Sequence, residues 1–547
     1  KCWIQCSGNR NLVWFQGTEQ GALAIFTSDQ TSERQTKLNN KSPREYLFFN
    51  MSTTIVDGVI YSPVSEHDDD KRSVFQLVKD CLNMFPEKIV VVDSSQSLTS
   101  RDFLIKIQRC AARFQQEGVK LGRRVCAYIH NTVDDMAAAL AVLSLGGTLV
   151  LAKSFCIPRE LKYIIEDSNC SFVLTDDKGA STVLELNGCH LIEKLFAAGD
   201  VPGFISVCRF DDLQNDASET CVTLNSAETV MVISYTTGST GLPKGVEITH
   251  KAYVSMYHAF RRAAYCTEDD VYLAWNPLTH VSGLTTNVFF MCFGGTVVLK
   301  EPNLTFEECL DSLERYKVTA LAGSAVKMQQ VINDARERKQ QLPTVSKLLI
   351  GGSILSKTLR DDIFNAFSPQ TLVNLYALTE TCGVVTTTPV GSIAENNCGR
   401  PDAGCKVKVV DPSTDQVLEP FQHGEILIQS KSMMKGYYGR PEATAAVLSS
   451  DGWLRTGDLG YYDNGGCLYI VERLKDMIKC SGNQLAPAEI EEILLTHAAV
   501  KEAVVVGVPS AKYGEAPAAC IVLKEAVGCD TNALEAELKQ FVAGKLS

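Results

Sequence analysis

Residues 235–245 read Tyr-Thr-Thr-Gly-Ser-Thr-Gly-Leu-Pro-Lys-Gly, the most informative stretch of the chain. An apolar run at 230–233 precedes it and an alternating run at 246–249 follows it, which predicts a strand, a glycine-rich loop and a second strand. Hydroxyl side chains, glycines that let backbone N–H groups turn toward a ligand, and one lysine together suit a polyphosphate. The candidate phosphate-binding residues are therefore Thr236, Thr237, Gly238, Ser239, Thr240, Gly241 and Lys244.

This loop differs from the P-loop of kinases and GTPases. Counting from Gly238, the chain has Pro243-Lys244-Gly245 where that pattern requires Gly-Lys-Ser or Gly-Lys-Thr. A plain surface turn is the alternative, but a turn alone needs neither four hydroxyls nor a lysine. The stretch therefore predicts a phosphate site of another kind.

Composition excludes several classes of function. The 547 residues are 45% hydrophobic and 21% charged, which is typical of globular protein with several packed subdomains. A net charge of −12 argues against nonspecific nucleic-acid binding. The twenty cysteines form no C-x-x-C pair and no zinc-like cluster, which indicates buried thiols in a reducing compartment. The uncharged runs 136–152 and 271–299 are broken by glycine or proline, so they predict buried strands and helices, and we expect no integral membrane segment.

The predicted elements include a strand at 89–92 and helices at 100–116, 131–145 and 531–543, with Thr99 as the N-cap of the helix at 100–116. The alternation of strand and helix patterns predicts an α/β fold with parallel sheets covered by helices. Beyond Gly404 short strands with turn signals predict a small β-barrel, and a small α+β segment follows from about Asp476. We predict three parts: a leader at 1–50, a large domain at 51–474 and a small mobile domain at 475–547. The leader lacks an initiator Met and an apolar face, so Met51 is the expected start, and a chain beginning there should melt at the same temperature.

With these parts in order, the loop at 235–245 resembles the signature of the adenylate-forming superfamily, which includes acyl-CoA synthetases, 4-coumarate–CoA ligases and firefly-type luciferases. The resemblance runs from about Ser73 to Ser547, and a co-linear set of motifs is more specific than any one of them. It implies ATP-dependent conversion of a carboxylic acid to an acyl-adenylate, with Mg²⁺, and transfer of the acyl group to coenzyme A.

The resemblance also implies roles for further residues. In the segment Tyr376–Glu380, Thr379 would contact the α-phosphate and Glu380 would bind Mg²⁺, for which an oxygen anion is suited. Asp458 would bind the ribose hydroxyls, since a carboxylate has lone pairs for both. The remaining nucleotide contacts implied by the family motifs are Gly351, Gly352, Ser353, Tyr376 and Arg473.

Other residues are implied in the second step and in domain rotation. His280 would gate the acyl site, although a single histidine is more often structural. Lys479 and Gly482 lie in a segment that resembles the thioester-forming loop, and Lys475 occupies the hinge position. The small domain would rotate about this hinge between the two steps.

Two positions depart from the family pattern. Ala377 replaces a glycine, a methyl group that we expect the site to tolerate. A family lysine in a Pro-Lys-x-x-x-Gly-Lys context has no counterpart before Ser547, and Lys545 lies in a different context. We therefore expect this chain to form acyl-adenylate slowly while still forming thioester from a pre-made acyl-adenylate and coenzyme A.

The expected substrate is a medium-chain fatty or aryl carboxylic acid. No aspartate occurs from Leu273 to Leu284, which argues against amino acids, because an α-ammonium group needs a buried counter-charge. A luciferase-type monooxygenase on the same fold and a catalytically impaired homologue stay open as alternatives. We expect an intracellular protein, cytoplasmic or peroxisomal, and the sequence does not predict its oligomeric state.

Overall fold

The fold is described from a computed structural model of the 547-residue chain. It describes residues 12–14, 53–63, 70–186, 189–208, 222–236, 242–263, 265–343, 345–353, 355–389, 397–480, 483–510, 513–524, 531–543 and 545. Thr237, Gly238, Ser239, Thr240, Gly241 and Gly482, all predicted site residues, lie outside this range.

The strands are given in chain order. They are β1 (Leu12–Trp14), β2 (Thr54–Val56), β3 (Val59–Tyr61), β4 (Ile89–Val92), β5 (Ser97–Thr99), β6 (Arg124–Ala127), β7 (Thr148–Leu151), β8 (Phe172–Thr175), β9 (Lys194–Ala197), β10 (Ile205–Ser206), β11 (Val230–Thr236), β12 (Lys244–Thr249), β13 (Val271–Ala274), β14 (Thr296–Leu299), β15 (Ala320–Gly323), β16 (Lys347–Gly351), β17 (Thr371–Leu378), β18 (Gly383–Thr387), β19 (Arg400–Pro401), β20 (Cys405–Val410), β21 (Gly424–Ser430), β22 (Gly436–Tyr437), β23 (Leu454–Tyr462), β24 (Leu468–Arg473), β25 (Ile478–Cys480), β26 (Asn483–Leu485), β27 (Val500–Ser510) and β28 (Gly514–Leu523).

The helices follow the same convention. They are α1 (Val74–Met84), α2 (Ser100–Gln116), α3 (Val133–Ser144), α4 (Pro158–Asp167), α5 (Ala180–Leu184), α6 (His250–Arg262), α7 (Val281–Cys292), α8 (Phe306–Arg315), α9 (Ala325–Glu337), α10 (Lys357–Phe367), α11 (Pro441–Val447), α12 (Pro487–Leu495) and α13 (Thr531–Ala543). Within the described residues no helix is both long and apolar enough to cross a bilayer.

Two large sheets form the body of the molecule. The first has the order β10-β9-β8-β6-β7-β11-β12-β22 and is parallel from β10 to β11. The second has the order β19-β18-β17-β16-β15-β13-β14-β4-β5 and is parallel from β17 to β4. Strands such as β7 and β8 are buried at every residue, because helices cover both faces of a parallel sheet.

The helices and sheets stack in five layers. Helices α1, α2, α3, α6 and α7 lie between the two sheets and share one core with their facing sides. Helices α4 and α5 cover the outer face of the first sheet, and α8, α9 and α10 cover the outer face of the second. The carboxyl ends of the parallel strands, where α/β folds place their ligands, therefore converge between the sheets.

Two antiparallel sheets complete the fold. The third sheet has the order β2-β3-β20-β21-β23-β24 and contains the short strands predicted beyond Gly404. Among the described residues β2 and β24 do not pair, so these strands form an open sheet where a small β-barrel was predicted. The fourth, made of β1, β28, β25 and β26 with β27 paired to β28, packs with α12 and α13 around its own core. The predicted fold class is confirmed by this architecture.

Many predicted elements have the observed bounds. The strand Ile89–Val92 and the helices Ser100–Gln116 and Thr531–Ala543 are observed as predicted. Thr99 is the predicted N-cap of α2, and its side chain accepts a hydrogen bond from the Asp102 amide. The helix predicted from Asn131 begins two residues later, because Thr132 caps it instead.

Asn131 lies between the two sheets as a result. Its side-chain NH₂ donates to the carbonyls of Ala274 at 3.2 Å, Asn276 at 2.8 Å and Lys300 at 2.8 Å. Its side-chain oxygen accepts from the Leu278 amide at 2.8 Å, and the residue is 4% exposed. One buried amide thus joins the end of β6 to the ends of β13 and β14.

The leader was predicted to add nothing to the fold. Residues 12–14 pair antiparallel with β28 in the small domain, a contact that the sequence did not predict. The other residues of 1–50 lie outside the described range, so the unchanged melting temperature of a chain starting at Met51 stays a prediction.

Asn131→Ala should lower the free energy of unfolding by about 2–4 kcal/mol, because several buried backbone groups lose their partner. Denaturant unfolding followed by circular dichroism measures this difference. Asn333→Ala is the control, since Asn333 accepts a same-helix bond from Gln329 and does not join the two sheets, and it should change stability by less than about 0.5 kcal/mol. Equal effects of the two variants would contradict the role of Asn131.

Candidate functional site

The two ends of the glycine-rich loop lie on a β-hairpin. β11 ends at Thr236 and β12 begins at Lys244, and these two residues are directly opposite each other in the antiparallel ladder. The predicted strand–loop–strand arrangement is therefore confirmed for the described flanks. The Lys244 ammonium lies 5.2 Å from the centroid of the Tyr437 ring, where a cation and an aromatic face attract.

Tyr437 connects this lysine to the predicted metal ligand. It lies on β22, which pairs with β12, and its hydroxyl donates to Glu380 Oε1 at 3.0 Å. Burial and the nearby Glu380 carboxylate raise the pKa of Tyr437, so the phenol keeps the proton that it donates. The amide of Met434 also donates to the Glu380 carbonyl at 2.7 Å, which fixes the backbone at that residue.

Glu380 lies in a 3₁₀ turn, Thr379–Thr381, at the end of β17. The Thr381 hydroxyl donates to the carbonyls of Leu378 at 3.0 Å and Gly383 at 2.8 Å, which closes the turn. Cys382 follows with a φ of 60°, the left-handed conformation that turns the chain back into β18. Thr379 and Glu380 are both half-buried and therefore accessible to a ligand.

A second cluster joins Tyr376, Asp458 and Arg473. The Tyr376 hydroxyl donates to one oxygen of Asp458, and Arg473 Nε lies 2.7 Å from the other oxygen. Asp458 is 2% exposed. Burial raises the pKa of Asp458, whereas Arg473 and Tyr376 act in the opposite direction. Tyr376 lies on β17 and Glu380 in the turn at the end of the same strand, so the two clusters are neighbours.

The segment Gly351–Ser353 ends β16 beside these clusters. A Cβ at Gly351 would lie 2.4 Å from Leu375 Cδ1 on β17, so only glycine fits without a shift. Gly352 has a φ of 76°, in the region that favours glycine, and a Cβ there would meet open space. Ser353 accepts from the Ala325 amide at 3.1 Å and thereby supports the start of α9.

His280 caps the N-terminus of α7. Its Nδ1 accepts from the Ser282 amide at 3.2 Å and lies 2.7 Å from the Ser282 hydroxyl. Burial, together with Lys153, lowers the pKa of His280, so the ring is neutral at neutral pH. A Cβ at Gly283 would lie 1.9 Å from the Pro277 carbonyl, so only glycine lets the first turn of α7 approach that backbone.

The predicted hinge residue Lys475 lies two residues beyond Arg473, whereas the predicted thioester residue Lys479 lies on β25 of the fourth sheet. Lys475 is exposed in the turn after β24, and the amide of Leu474 beside it donates to the Gly457 carbonyl at 2.9 Å. Lys479 is exposed on β25, with its amide donating to Glu515 at 2.7 Å. In the part of the chain that the structure describes, Lys479 is not among the contacts of Lys244 or Glu380.

The site residues fit a nucleotide with a bound Mg²⁺. Gly352 leaves open space that a side chain would fill, as a flat base requires, and Gly351 lets β16 approach Leu375 closely. Among the described residues no three histidine, cysteine or carboxylate side chains group as a metal site. Glu380 is thus suited to Mg²⁺ only if phosphate oxygens and water supply the other ligands, which is the usual mode for this ion.

Tyr437 was missed by the sequence analysis, although it connects Lys244 with Glu380. Its only signal is the run Gly436-Tyr437-Tyr438-Gly439, which resembles an ordinary turn. Asn131 was missed for a similar reason, because it was assigned to a helix.

Family models match most of this architecture. The AMP-binding enzyme model matches residues 78–438, and the AMP-binding enzyme C-terminal domain model matches residues 489–547. The chain belongs to the AMP-binding enzyme family. This result confirms the predicted superfamily and the predicted enzyme class, the AMP-forming acid–thiol ligases.

Similar proteins agree with this class. The 2-succinylbenzoate–CoA ligase of Bacillus pumilus (strain SAFR-032) is 32% identical over 445 residues, which cover 80% of this chain and 85% of that protein. The luciferin 4-monooxygenase of Photuris pensylvanica is 31% identical over 451 residues, covering 79% and 81% respectively. The solved structure of o-succinylbenzoate CoA synthetase from Bacillus subtilis with its acyl-adenylate intermediate has a TM-score of 0.73 at 26% identity, covering 87% of this chain and 93% of that one.

Glu380→Gln should raise the Mg²⁺ concentration needed for half-maximal ATP–pyrophosphate exchange by about tenfold or more, because the side chain keeps its shape and loses its charge. Tyr437→Phe should give a smaller rise. Glu228→Gln is the control, since Glu228 pairs with Lys435 at the exposed surface. A Mg²⁺ requirement in Glu380→Gln that matches the wild type would show that Glu380 is not the ligand.

The raised pKa of Asp458 predicts a pH effect on ATP use. The carboxylate that binds ribose must be charged, so kcat/KM for ATP should fall as the pH decreases. The midpoint of this acidic limb should lie above the ordinary aspartate pKa of about 3.9. Tyr376→Phe removes a hydrogen bond that lowers this pKa, and should move the limb to higher pH. Tyr462→Phe, which removes a hydroxyl that donates to the Leu418 carbonyl, should leave the limb unchanged. Superimposed profiles of Tyr376→Phe and wild type would contradict the assignment.

Proposed function

We propose that the chain activates a carboxylic acid with ATP and transfers the acyl group to coenzyme A, releasing AMP and pyrophosphate. The observation that carries this proposal is the adjacency of two clusters at the strand ends. In the first cluster Tyr437 links the Lys244 cation, which suits phosphates, to the Glu380 anion, which suits Mg²⁺. Tyr376, Asp458 and Arg473 form a neighbouring group suited to a ribose.

In the first step the carboxylate oxygen of the acid attacks the α-phosphorus of ATP, and the bond to pyrophosphate breaks. The acid is ionised at neutral pH, so no general base is needed. We assign Lys244 and Thr236, together with Thr237–Gly241, to the phosphates, and Thr379 to the α-phosphate. Bound Mg²⁺ at Glu380 would neutralise charge on the phosphate oxygens. Catalysis by this chain is then chiefly positioning and charge stabilisation.

Asp458 and Arg473 hold the nucleoside in this proposal. Asp458 accepts from the ribose hydroxyls, and a carboxylate has lone pairs for them in addition to its bonds with Tyr376 and Arg473. Gly351, Gly352 and Ser353 form the wall against which adenine packs.

In the second step the thiol of coenzyme A attacks the acyl carbon of the acyl-adenylate, and AMP leaves. We assign Lys479 and Gly482 to this step and Lys475 to the hinge about which the small domain turns. His280 gates the acyl site. Its lowered pKa keeps the ring neutral at neutral pH, so it can turn aside without breaking an ion pair.

The favoured substrate is an aryl carboxylic acid, with a medium-chain fatty acid as the second choice. The 2-succinylbenzoate–CoA ligase among the relatives is named for an aromatic acid. The described residues from Leu273 to Leu284 include no aspartate that would bind an ammonium group. The assay of this reaction requires ATP, Mg²⁺ and coenzyme A.

A luciferase-type oxygenation is the second candidate, favoured by the luciferin 4-monooxygenase among the relatives. It would share the adenylation step and differ in the second. Light emission with luciferin, ATP and oxygen but without coenzyme A would support it.

The experiment measures both half-reactions on one preparation of the chain. Acid-dependent ATP–pyrophosphate exchange is tested with a panel of aryl and fatty acids, and thioester formation is tested from pre-made acyl-adenylates and coenzyme A. Lys244→Ala should slow ATP–pyrophosphate exchange by about a hundredfold, because the phosphates lose the positive charge that would stabilise them. Lys251→Ala, which removes an exposed lysine on α6, should leave the exchange rate unchanged. Absence of both half-reactions with every acid would refute the proposal.

A further inference from the structure

Helix α4 lies outside the two clusters, on the far face of the first sheet, yet its last turn reaches the nucleotide site. Tyr163 and Asp167 are four residues apart on this helix, and therefore point from the same face. Both are directed at the hairpin that carries Lys244, as the contacts below establish. Neither residue belongs to the set of nucleotide contacts proposed above.

Asp167 uses both of its carboxylate oxygens in this contact. Oδ2 accepts from the Tyr235 hydroxyl at 2.7 Å, and Oδ1 accepts from the Arg440 guanidinium at 2.5 Å. The Asp167 side chain is 11% exposed, so this charge-assisted bond is largely shielded from water. One side chain thus joins β11, before the glycine-rich loop, to the turn after β22.

Tyr163 makes the matching contact on the other side of the loop. Its hydroxyl donates to the Pro243 carbonyl at 2.9 Å, immediately before Lys244. The same oxygen accepts from Arg440 at 3.3 Å, and the Tyr163 ring packs edge-on to the Tyr235 ring with centroids 6.2 Å apart. The two ends of the loop are therefore held by one helix face.

The backbone around these anchors carries Lys244 and Tyr437, which the proposed function places beside the phosphates. The Arg440 amide donates to the Tyr437 carbonyl at 3.0 Å, and the Tyr438 amide donates to the Gly245 carbonyl at 2.8 Å. Gly245 lies against the Tyr235 ring, where an added Cβ would be 3.3 Å from the ring carbon Cζ. Arg440 and Tyr235 are thus rigidly connected to the residues from which Tyr437 and Lys244 project.

We propose that Tyr163, Asp167 and Arg440 are positioning residues for ATP, acting through the backbone that carries Lys244 and Tyr437. The group is called the α4 bracket. Its side chains are not among the nucleotide contacts proposed above, and its contribution is to hold the lysine and the tyrosine at the spacing that the phosphates require. The inference rests on the proposed function for its kinetic consequence, but its structural consequence is independent of activity.

The variants are chosen to separate positioning from general stability. Asp167→Asn removes the charge facing Arg440, and Tyr163→Phe removes one hydroxyl while keeping the ring. Glu166→Gln is the matched control on the same helix, because Glu166 pairs with Lys162 at 3.8 Å and both side chains are about half exposed. If Asp167→Asn does not fold, Tyr163→Phe alone still decides the question.

The first measurement is amide hydrogen exchange without any ligand. In Asp167→Asn and Tyr163→Phe, peptides covering 230–236 and 242–249 should exchange about tenfold faster, while peptides covering α2 should be unchanged. Glu166→Gln should match the wild type throughout. Unchanged exchange of the hairpin in both variants, or an equal increase across the whole chain, would overturn the inference.

The second measurement is steady-state kinetics of the full chain. KM for ATP should rise about tenfold or more in Tyr163→Phe and Asp167→Asn, with KM for the acid unchanged. The rise in KM for ATP in the double variant should be smaller than the product of the rises in the two single variants, because both residues act on one hairpin. Strictly multiplicative effects, or equal rises in both KM values, would overturn the positioning role. An inactive wild type would refute the proposed function, and the exchange measurement would still decide the bracket.

Discussion

The side-chain amide of Asn131 is the contact on which the geometry of the site depends. It holds the carboxyl end of β6 in the first sheet against the ends of β13 and β14 in the second. A charged residue could not replace it, because the same side chain donates to carbonyls and accepts from the Leu278 amide. Since the two sheets contribute Lys244 and Glu380 respectively, a shift at Asn131 would change the spacing of the proposed phosphate site.

The polar groups of the site are arranged so that few charges stay uncompensated. Asp458 is buried, and it is stabilised from two sides by Tyr376 and Arg473. Glu380 accepts from Tyr437, whose ring also faces Lys244, so the tyrosine separates a cation from an anion. This arrangement leaves Lys244 and Glu380 able to bind new charges, whereas a direct salt bridge would have to be broken first.

Local sequence patterns were sufficient to predict most of the fold, whereas the site residues were predicted mainly from the family motifs. Residues 89–92 and 100–116 were predicted within their bounds, because hydrophobic period and capping are local signals. Glu380 and Asp458 were recognised only through motif order. Tyr437, Tyr163 and Asp167 were not recognised, since their roles depend on partners 57, 80 and 273 residues away in sequence. Pairings at that separation leave no periodicity in the chain.

The distance between Asp167 and Arg440 along the chain has a consequence for synthesis. The two residues are 273 positions apart, and a ribosome adding 5–20 residues per second needs about 14–55 s to cover that interval. During this time strands β6 to β12 of the first sheet can pair while the carboxylate on α4 remains hydrated and without its guanidinium. Strand β22, which completes the sheet, is synthesised only just before Arg440. The nascent protein would therefore carry most of the first sheet well before it could hold a nucleotide firmly, and changes at Arg440 should affect the finished protein more than the formation of those earlier strands.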